Sequence, residues 1–335
     1  MKPPSSLLGP HLQSFFTEHL TRNKRVSPQT IASLRDSFRI LLEFLRAQTG
    51  IEPAKLQVTD LNSSAILAFL DHLEQKRGNS VRSRNLRLSA IRTFFRYLAL
   101  YDPDRLGQIT QVMAIPVKRQ DKKLVGALTR EEMDALLDAP DRSTWGGRRD
   151  HALLLTMYNT GARVSEMTTL RRDQVRLGAA TSYIELHGKG RKERTVPLWP
   201  HTARTLEAWF KELAQTSTGT MAFPNARGHQ MARDGVEYLL RQLVKKAVPV
   251  CGSLAGKRVS PHTLRHTTAM HLLQAGVDIT VIALWLGHES IETTHCYVEA
   301  DLATKQRALD KVSPVEGDVQ RFQPGDALLA FLAAI

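Results

Sequence analysis

The chain has 335 residues, which is more than one typical domain, so the sequence predicts two domains with a core in each. Its 42% hydrophobic and 24% charged residues exclude a disordered chain. Lys and Arg number 46 against 33 Asp and Glu, and the resulting net charge of +13 favours nucleic acid or an anionic membrane surface as a partner. No apolar run is long enough to span a membrane, no signal-peptide core follows the first residues, and the 2 cysteines suit a reducing cytoplasm.

The first hundred residues have the pattern of an all-helical domain. Ser27 and Pro28 are typical of an N-cap and a first helical position, apolar residues then recur at helical spacing, and Gly50 ends the segment. Further helices are predicted over Ser63–Gln75 and from Ser80 to Leu100.

The helix from Ser80 to Leu100 is rich in arginine and has no acidic residue between Asn79 and Tyr101. A charge run is usually a solvated helix face, but the missing counter-charges favour contact with phosphate. With the basic residues that follow the helix, the predicted DNA-contacting residues are Arg82, Arg84, Arg87, Arg92, Arg96, Lys118, Arg119, Lys122 and Lys123.

Domain boundaries follow from breaks in this pattern. The helical domain is predicted over residues 1–105, and residues 106–126, which include the sequence VKRQDKK, are interpreted as a basic interdomain linker. Thr129 and Glu132 have the spacing of a capping box that opens a helix, so a second domain is predicted over residues 127–312. Residues 313–335 form a tail that is broken by proline and glycine and ends in an apolar segment.

The second domain is predicted to be mostly helical with a small antiparallel sheet. A buried helix over Ala152–Asn159 is closed by Gly161, and two strands flank a Gly-Lys-Gly turn that follows Tyr183–Leu186. The remaining helices are predicted over Thr202–Ala214, Ala232–Lys246, His262–Gln274 and Ile279–Leu286. The expected fold class is therefore mainly α, with a helical N-terminal domain and an α+β second domain.

Two candidate residues for chemistry lie in the first half of the second domain. Arg163 follows Gly161 at the start of a short helix, where backbone N–H groups favour an anion, and Glu166 is spaced to orient it. Such an Arg–Glu pair is more often a structural ion pair. Lys189 lies between two glycines on the predicted turn, and taken alone it is a solvent-exposed lysine.

The sequence SPHTLRHTTAMHLLQAG is denser in chemistry. Ser260 would cap a helix whose first turns carry His262, Arg265 and His266 toward one point. A metal site through the two histidines is the alternative, but Thr263 stands where the zincin pattern requires glutamate, so no metal is expected.

The last two candidates are His288, directly after Gly287 at a helix end, and Tyr297, nine residues later. A lone tyrosine in such a segment usually packs with its hydroxyl satisfied. The order of all the candidates is more informative than any one of them. Arg163, Lys189, His262, Arg265, His288 and Tyr297 resemble, in sequence, the catalytic set of the tyrosine recombinase (phage integrase) family.

The stretches TGARVSEM, GKGRKERTVPL, HTLRHTTAMHLLQAG and LGHESIETTHCY resemble the motifs of that family one after another. The resemblance is strong over residues 127–310, and the N-terminal half is more loosely similar to the family's core-binding domain. The organisation resembles that of the two-domain, Xer-type recombinases. It implies a site-specific recombinase that cleaves and rejoins DNA through a 3′-phosphotyrosyl intermediate, with no cofactor, metal or ATP.

Metal-free cleavage of a phosphodiester needs a nucleophile, cations on the non-bridging oxygens and a proton donor for the leaving oxygen. The forked guanidiniums of Arg163 and Arg265 suit the non-bridging oxygens, and Tyr297 can be the nucleophile. The resemblance implies that Lys189 protonates the departing 5′ oxygen.

The resemblance also implies that His262 assists deprotonation of the tyrosine and that His288 hydrogen-bonds the scissile phosphate. Glu166 is expected to support the site by orienting Arg163.

The implied partners are a double-stranded DNA target site and further copies of the chain, as a dimer on one site and a tetramer in synapsis, with accessory proteins as further candidates and no membrane. The tail is expected to dock on a neighbouring subunit, and the enzyme to work at the bacterial nucleoid. Two alternatives are a type IB topoisomerase and a non-catalytic DNA-binding regulator. The tail argues against the first, and the intact residue set against the second.

Overall fold

The chain folds into two compact units, Met1–Lys122 and Lys123–Ile335, and each has its own hydrophobic core. The computed structural model describes residues 6–119, 126–178, 181–188, 193–216, 219–288 and 294. No helix in those ranges is long and apolar enough to cross a membrane.

The N-terminal unit is helical, as its sequence predicts. Ser27 accepts a hydrogen bond from the backbone N–H of Thr30, and Gly50 ends the helix in the left-handed conformation at φ 70°. A π-helix over Phe15–Asn23 continues the first α-helix, which the sequence pattern did not reveal. The α-helices are α1 Leu8–Ser14, α2 Pro28–Thr49, α3 Ser63–Gln75, α4 Val81–Tyr101 and α5 Leu106–Ala114.

Helix α5 corrects the predicted linker. Residues 106–114 were expected to connect the domains, but they form a helix that packs on α3 and α4. Its Ile109 and Val112, with the following Ile115, recur every third residue and are buried in the core of the N-terminal unit. The predicted linker therefore starts too early, because a short amphipathic helix completes this core first.

The structure also corrects the prediction that all five arginines of α4 contact DNA. Arg84 is only 2% exposed, and its Nη1 donates to the carbonyl of Pro116 at 3.1 Å. Nη1 of Arg87 donates to Oγ of Ser37 at 2.8 Å. Both side chains therefore join elements of the N-terminal unit rather than facing a partner.

Arg92 also joins elements of the N-terminal unit. Its Nη2 donates to the carbonyl of Met113 at 3.0 Å and also to that of Ile115. Arg82 and Arg96, in contrast, are exposed on the surface of the helix. The helical pattern places the charges along α4, but it does not show that backbone carbonyls at and after the end of α5 bind two of them, Arg84 and Arg92.

The C-terminal unit is mostly helical around a small sheet. Its first helix starts with the predicted capping box: Glu132 accepts from the N–H of Thr129 at 3.0 Å, and its own N–H donates to Oγ1 of Thr129 at 3.3 Å. The helices are α6 Arg130–Asp138, α7 Trp145–Thr160, α8 Val164–Thr168, α9 Pro200–Thr216, α10 Arg233–Ala247, α11 Pro261–Gln274 and α12 Ile279–Leu286.

Three antiparallel strands form the sheet in the order β1-β2-β3: β1 Val175–Arg176, β2 Tyr183–His187 and β3 Glu193–Pro197. In β2 and β3 the register pairs Tyr183 with Pro197 and His187 with Glu193. The two predicted strands are thus present, and the small sheet confirms the predicted fold class.

Helix α7 is the centre of the C-terminal unit and packs against α6, α9 and α11. It ends at Gly161, which has φ 58°. A Cβ atom at this glycine would lie 2.4 Å from Cδ2 of Leu286, so both the backbone conformation and the close approach of α12 require glycine. The C-terminal ends of α7 and α12 and the N-terminal half of α11 therefore meet beside Arg163, which follows Gly161 by two residues.

Candidate active site

Three of the predicted catalytic side chains line one cleft of about 400 Å³ in the C-terminal unit. They are Arg163, from the start of α8, and His262 and Arg265, from the first turns of α11. Two further arginines, Arg233 and Arg258, line the same cleft. Glu237 also lines the cleft and accepts from Nε of Arg233 at 3.1 Å, but the four arginines outnumber it, so the walls are basic and suited to an anion such as a phosphodiester.

Arg163 is held by Glu166. Its backbone N–H donates to Oε2 of the carboxylate at 2.7 Å, and its Nη1 donates to Oε1 at 3.0 Å. The glutamate side chain is 2% exposed, whereas that of Arg163 is 32% exposed. Burial by itself would raise the pKa of Glu166, but hydrogen bonds and the charge of Arg194, and then contacts with Arg163, outweigh it and lower this pKa. An ionised carboxylate thus orients an arginine that remains open to the cleft.

Arg265 is only 4% exposed, and backbone carbonyls fix its guanidinium. Nη1 donates to the carbonyl of Gly161 and Nη2 to that of Leu286, both at 2.7 Å. These bonds join the ends of α7 and α12 to α11. Arg265 also lines the cleft. Because these bonds fix its guanidinium, the fold sets its position there before any ligand binds.

His262 occupies the first turn of α11, as the sequence predicts. Ser260 caps the helix and accepts from the N–H of Thr263 at 3.2 Å. Desolvation in the cleft and the positive charges of Arg265, Arg233 and Arg163 lower the pKa of His262. The imidazole is therefore neutral near pH 7 and able to accept a proton.

The ring of His262 stacks on that of His266, with centroids 6.2 Å apart. Burial first, and then the charges of His262 and Arg265, lower the pKa of His266 to about 4. Because the two rings are close together and desolvated, protonation of both at once is unfavourable. This pair therefore presents neutral imidazoles beside the arginines.

His288 follows the left-handed Gly287 at the end of α12, and its Nδ1 lies 2.7 Å from Oγ1 of Thr294. Burial first, and then the charges of Arg265 and Arg163, lower the pKa of His288 to about 4. The carbonyls of Leu286 and Gly287, just before His288, accept hydrogen bonds from Arg265 and Arg163, so the residue lies beside the two arginines that line the cleft. His288 is consequently a neutral hydrogen-bonding group next to them.

Lys189 and Tyr297 lie outside the residues that the structure describes, as do Lys122 and Lys123. Strands β2 and β3 flank the segment that contains Lys189. Within the described ranges no cluster of three or more His, Cys, Asp or Glu side chains is arranged to hold a metal ion.

Sequence reasoning missed three charged residues around the site. Arg233 and Arg258 line the cleft, and Arg194 binds the carboxylate of Glu166 from β3. One signal could have pointed to Arg194. Alternate residues of a strand face opposite sides, and Arg194 lies on the side opposite to Glu193 and Thr195, which are exposed in the structure.

Comparison with known proteins gives the family. Residues 127–303 match the phage integrase family, and residues 14–100 match the N-terminal SAM-like domain of phage integrases. A putative integrase/recombinase, y4rC, of Sinorhizobium fredii is 51% identical over 328 residues, which cover 98% of each chain. The tyrosine recombinase XerC of Pelobacter propionicus is 32% identical over 308 residues, or 89% of this chain and 94% of that protein.

A solved structure of a lambda integrase dimer bound to a COC′ core site has the same fold, with a TM-score of 0.62 and 18% identity over 88% of this chain and 96% of that one. The order of motifs inferred from the sequence and the extended matches to recombinases agree. The chain belongs to the tyrosine recombinase (phage integrase) family and is a site-specific recombinase that cleaves and rejoins DNA.

Proposed function

We propose that this recombinase works by two transesterifications in which Tyr297 is the nucleophile. The tyrosine oxygen bonds to the scissile phosphorus, the bond from phosphorus to the 5′ oxygen breaks, and the leaving strand takes up a proton. A 5′ hydroxyl of another strand then attacks the 3′-phosphotyrosyl bond and releases the tyrosine. The covalent bond retains the energy of the phosphodiester, so the reaction needs no ATP.

Arg163 and Arg265 bind the two non-bridging oxygens in this proposal. Both line the cleft, and Arg265 is fixed by two carbonyl contacts of 2.7 Å, so no reorganisation is needed as charge develops on the phosphate. Arg233 and Arg258 add positive charge at the same cleft and favour the approach of the DNA backbone.

Two side chains transfer protons, and a third binds the phosphate. His262, kept neutral by its cationic neighbours, accepts the phenolic proton of Tyr297. Lys189 protonates the departing 5′ oxygen. His288 binds the phosphate through Nε2–H while Thr294 donates to its Nδ1.

The convergence of Arg163, His262 and Arg265 on one basic cleft carries this proposal. Arg163 is about a hundred positions from His262 and Arg265 in the sequence, and the meeting of α7, α11 and α12 brings the three together. A packing role alone would not place two guanidiniums and a neutral imidazole around one opening.

The decisive experiment replaces the nucleophile. Tyr297→Phe removes only the attacking hydroxyl, so the variant is expected to bind the DNA site but to form no adduct that survives denaturation. Tyr238→Phe is the matched control, because Tyr238 is an exposed tyrosine of the same unit, at 58%, and should cleave normally. An adduct in the Tyr297 variant would contradict the proposal, as would inhibition by EDTA that a divalent ion reverses.

We also propose that the chain acts on double-stranded DNA in the bacterial cytoplasm as a dimer on each site and a tetramer in synapsis, with accessory proteins as further candidates. The lambda integrase relative is a dimer on its core site, which supports this arrangement. The remaining predicted boundaries, a catalytic domain to residue 312 and a docking tail over residues 313–335, belong to the same proposal. Deletion after Pro314 should leave a DNA-binding protomer with impaired cleavage and strand exchange; recombination at the full rate would contradict the tail's role.

A further inference from the structure

The carboxyl end of α12 is held by three arginines from different elements. Nε of Arg194 donates to the carbonyl of Trp285 at 2.9 Å. Nη2 of Arg265 donates to that of Leu286 at 2.7 Å, and Nη2 of Arg163 donates to that of Gly287 at 3.1 Å. These groups are the negative end of the helix, where cations are favourable. Two of the three arginines line the cleft, and His288 follows immediately.

Arg194, the third arginine, also forms a fork with Glu166. Its Nη1 donates to Oε1 at 2.9 Å and its Nη2 to Oε2 at 2.8 Å. Its own side chain is 11% exposed, so this is a largely buried ion pair. With the two bonds from Arg163, the carboxylate accepts four hydrogen bonds.

The charges of this cluster matter for the phosphate site. Glu166 carries one negative charge, and Arg163 and Arg194 carry one positive charge each, so the trio has a net charge of +1. Without Arg194 the carboxylate would cancel Arg163, and the cleft would lose the net charge that one of its two phosphate-binding arginines supplies. Arg194 therefore neutralises the glutamate that orients Arg163.

Arg194 is also packed against the turn that precedes His288. A Cβ atom built on Gly287 would lie 3.0 Å from Cδ and 3.1 Å from Nη1 of Arg194. The side chain thus lies directly over the left-handed glycine, and its Nε bond to the carbonyl of Trp285 holds the last turn of α12 from the same side. Removing it would free this turn to move.

We infer that Arg194 is a positioning residue for strand cleavage: it neutralises Glu166 so that Arg163 keeps its charge for the phosphate, and it fixes the turn that presents His288. This inference rests on the proposed function of Arg163 and His288. Arg194 does not line the cleft and transfers no proton.

The test measures formation of the covalent complex in a single turnover, together with DNA affinity and thermal unfolding of the full chain. Arg194→Met is expected to slow cleavage about 100-fold, the cost of a small misplacement of catalytic groups, while saturating DNA does not restore the rate. Arg148→Met is the matched control. It removes a fork with Glu212, at 2.8 Å for both bonds, which joins α7 to α9 and does not line the cleft, so cleavage should stay at the wild-type rate.

A double variant separates charge balance from simple loss of structure. Glu166→Gln combined with Arg194→Met removes one negative and one positive charge and returns the net charge of the trio to +1. It should therefore cleave faster than Arg194→Met, and Arg194→Lys, which keeps the charge without the fork, should do so too. A purely structural role predicts that the double variant is at least as slow as the single one.

The inference is overturned if Arg194→Met cleaves at the wild-type rate, or if the double and lysine variants are folded but no faster than Arg194→Met. Failure of the proposed function gives a different result, because wild-type protein would then form no Tyr297-dependent adduct. The wild-type and Tyr297→Phe reactions are therefore run first.

Discussion

In both the N-terminal and the C-terminal unit, arginines donate to backbone carbonyls at helix ends, but the surroundings of those arginines differ. In the N-terminal unit Arg84 and Arg92 bind carbonyls at and after the end of α5, and the contacts join helices. In the C-terminal unit Arg163 and Arg265 bind carbonyls at the end of α12, but both also line a basic cleft. The same donor chemistry stabilises a helix end in one unit and prepares an anion site in the other.

The difference teaches that a buried arginine is informative only with its neighbours. Arg265 lies beside the imidazole of His262 in a cleft whose described lining has four arginines and one acidic residue, Glu237. Arg84, by contrast, has the carboxylate of Glu74 at 3.9 Å and a carbonyl partner. An excess of basic side chains around a concave surface, rather than burial, distinguishes the functional arginine.

The largest expected effect comes from Arg265→Ala, which tests the functional half of the comparison. Removing one fixed donor to a developing charge should lower the cleavage rate by about 10²- to 10³-fold. The measurement is single-turnover adduct formation at saturating DNA, with unfolding followed in parallel. A folded variant that cleaves normally would show that Arg265, like Arg92, has only a structural role.

The next effect concerns the neutral histidines beside the arginines. The pKa of His266 and that of His288 are lowered to about 4, so both contribute stability that is complete above about pH 6.5 and is lost as the pH falls toward 4. Between about pH 7.5 and 5.5 the protonation of each histidine in the unfolded chain should reduce the free energy of unfolding by roughly 1 kcal/mol. Denaturant titrations of wild type and of His266→Gln and His288→Gln measure this, and an unchanged pH dependence in both variants would contradict it.

Arg92→Met tests the structural half of the comparison. It leaves the carbonyls of Met113 and Ile115 without this donor, and the free energy of unfolding should fall by about 1–3 kcal/mol. The dependence of DNA affinity on salt should be unchanged, because the guanidinium does not face a phosphate. A shallower salt dependence with normal stability would restore Arg92 as a DNA contact.

The smallest effect on stability is expected for Arg82 and Arg96, the exposed arginines of the same helix. Replacing either with alanine should change stability by no more than about 0.5 kcal/mol. The slope of log K against log salt should fall by about one per lost phosphate contact. Unchanged slopes would show that these residues are solvated charges, and Arg92→Met serves as the matched control from the same helix.

Local sequence determined much of this protein. N-caps such as Ser27 and Ser260, and the helix-ending glycines, act within a few residues, so they predicted helix bounds closely. The resemblance to the family could be read from the order of six residues, because each motif is contiguous in the chain: Arg163, Lys189, His262, Arg265, His288 and Tyr297.

Tertiary structure decided where the remaining charges lie. The helical pattern of α4 could not show that the chain beyond it folds back as α5 and binds Arg84 and Arg92. Nor could it reveal Arg194, whose partners Glu166 and the carbonyl of Trp285 are 28 and 91 residues away. Caps and periodicity are local interactions, whereas the partner of a guanidinium is set by which distant helix ends meet, and only the packed fold specifies that.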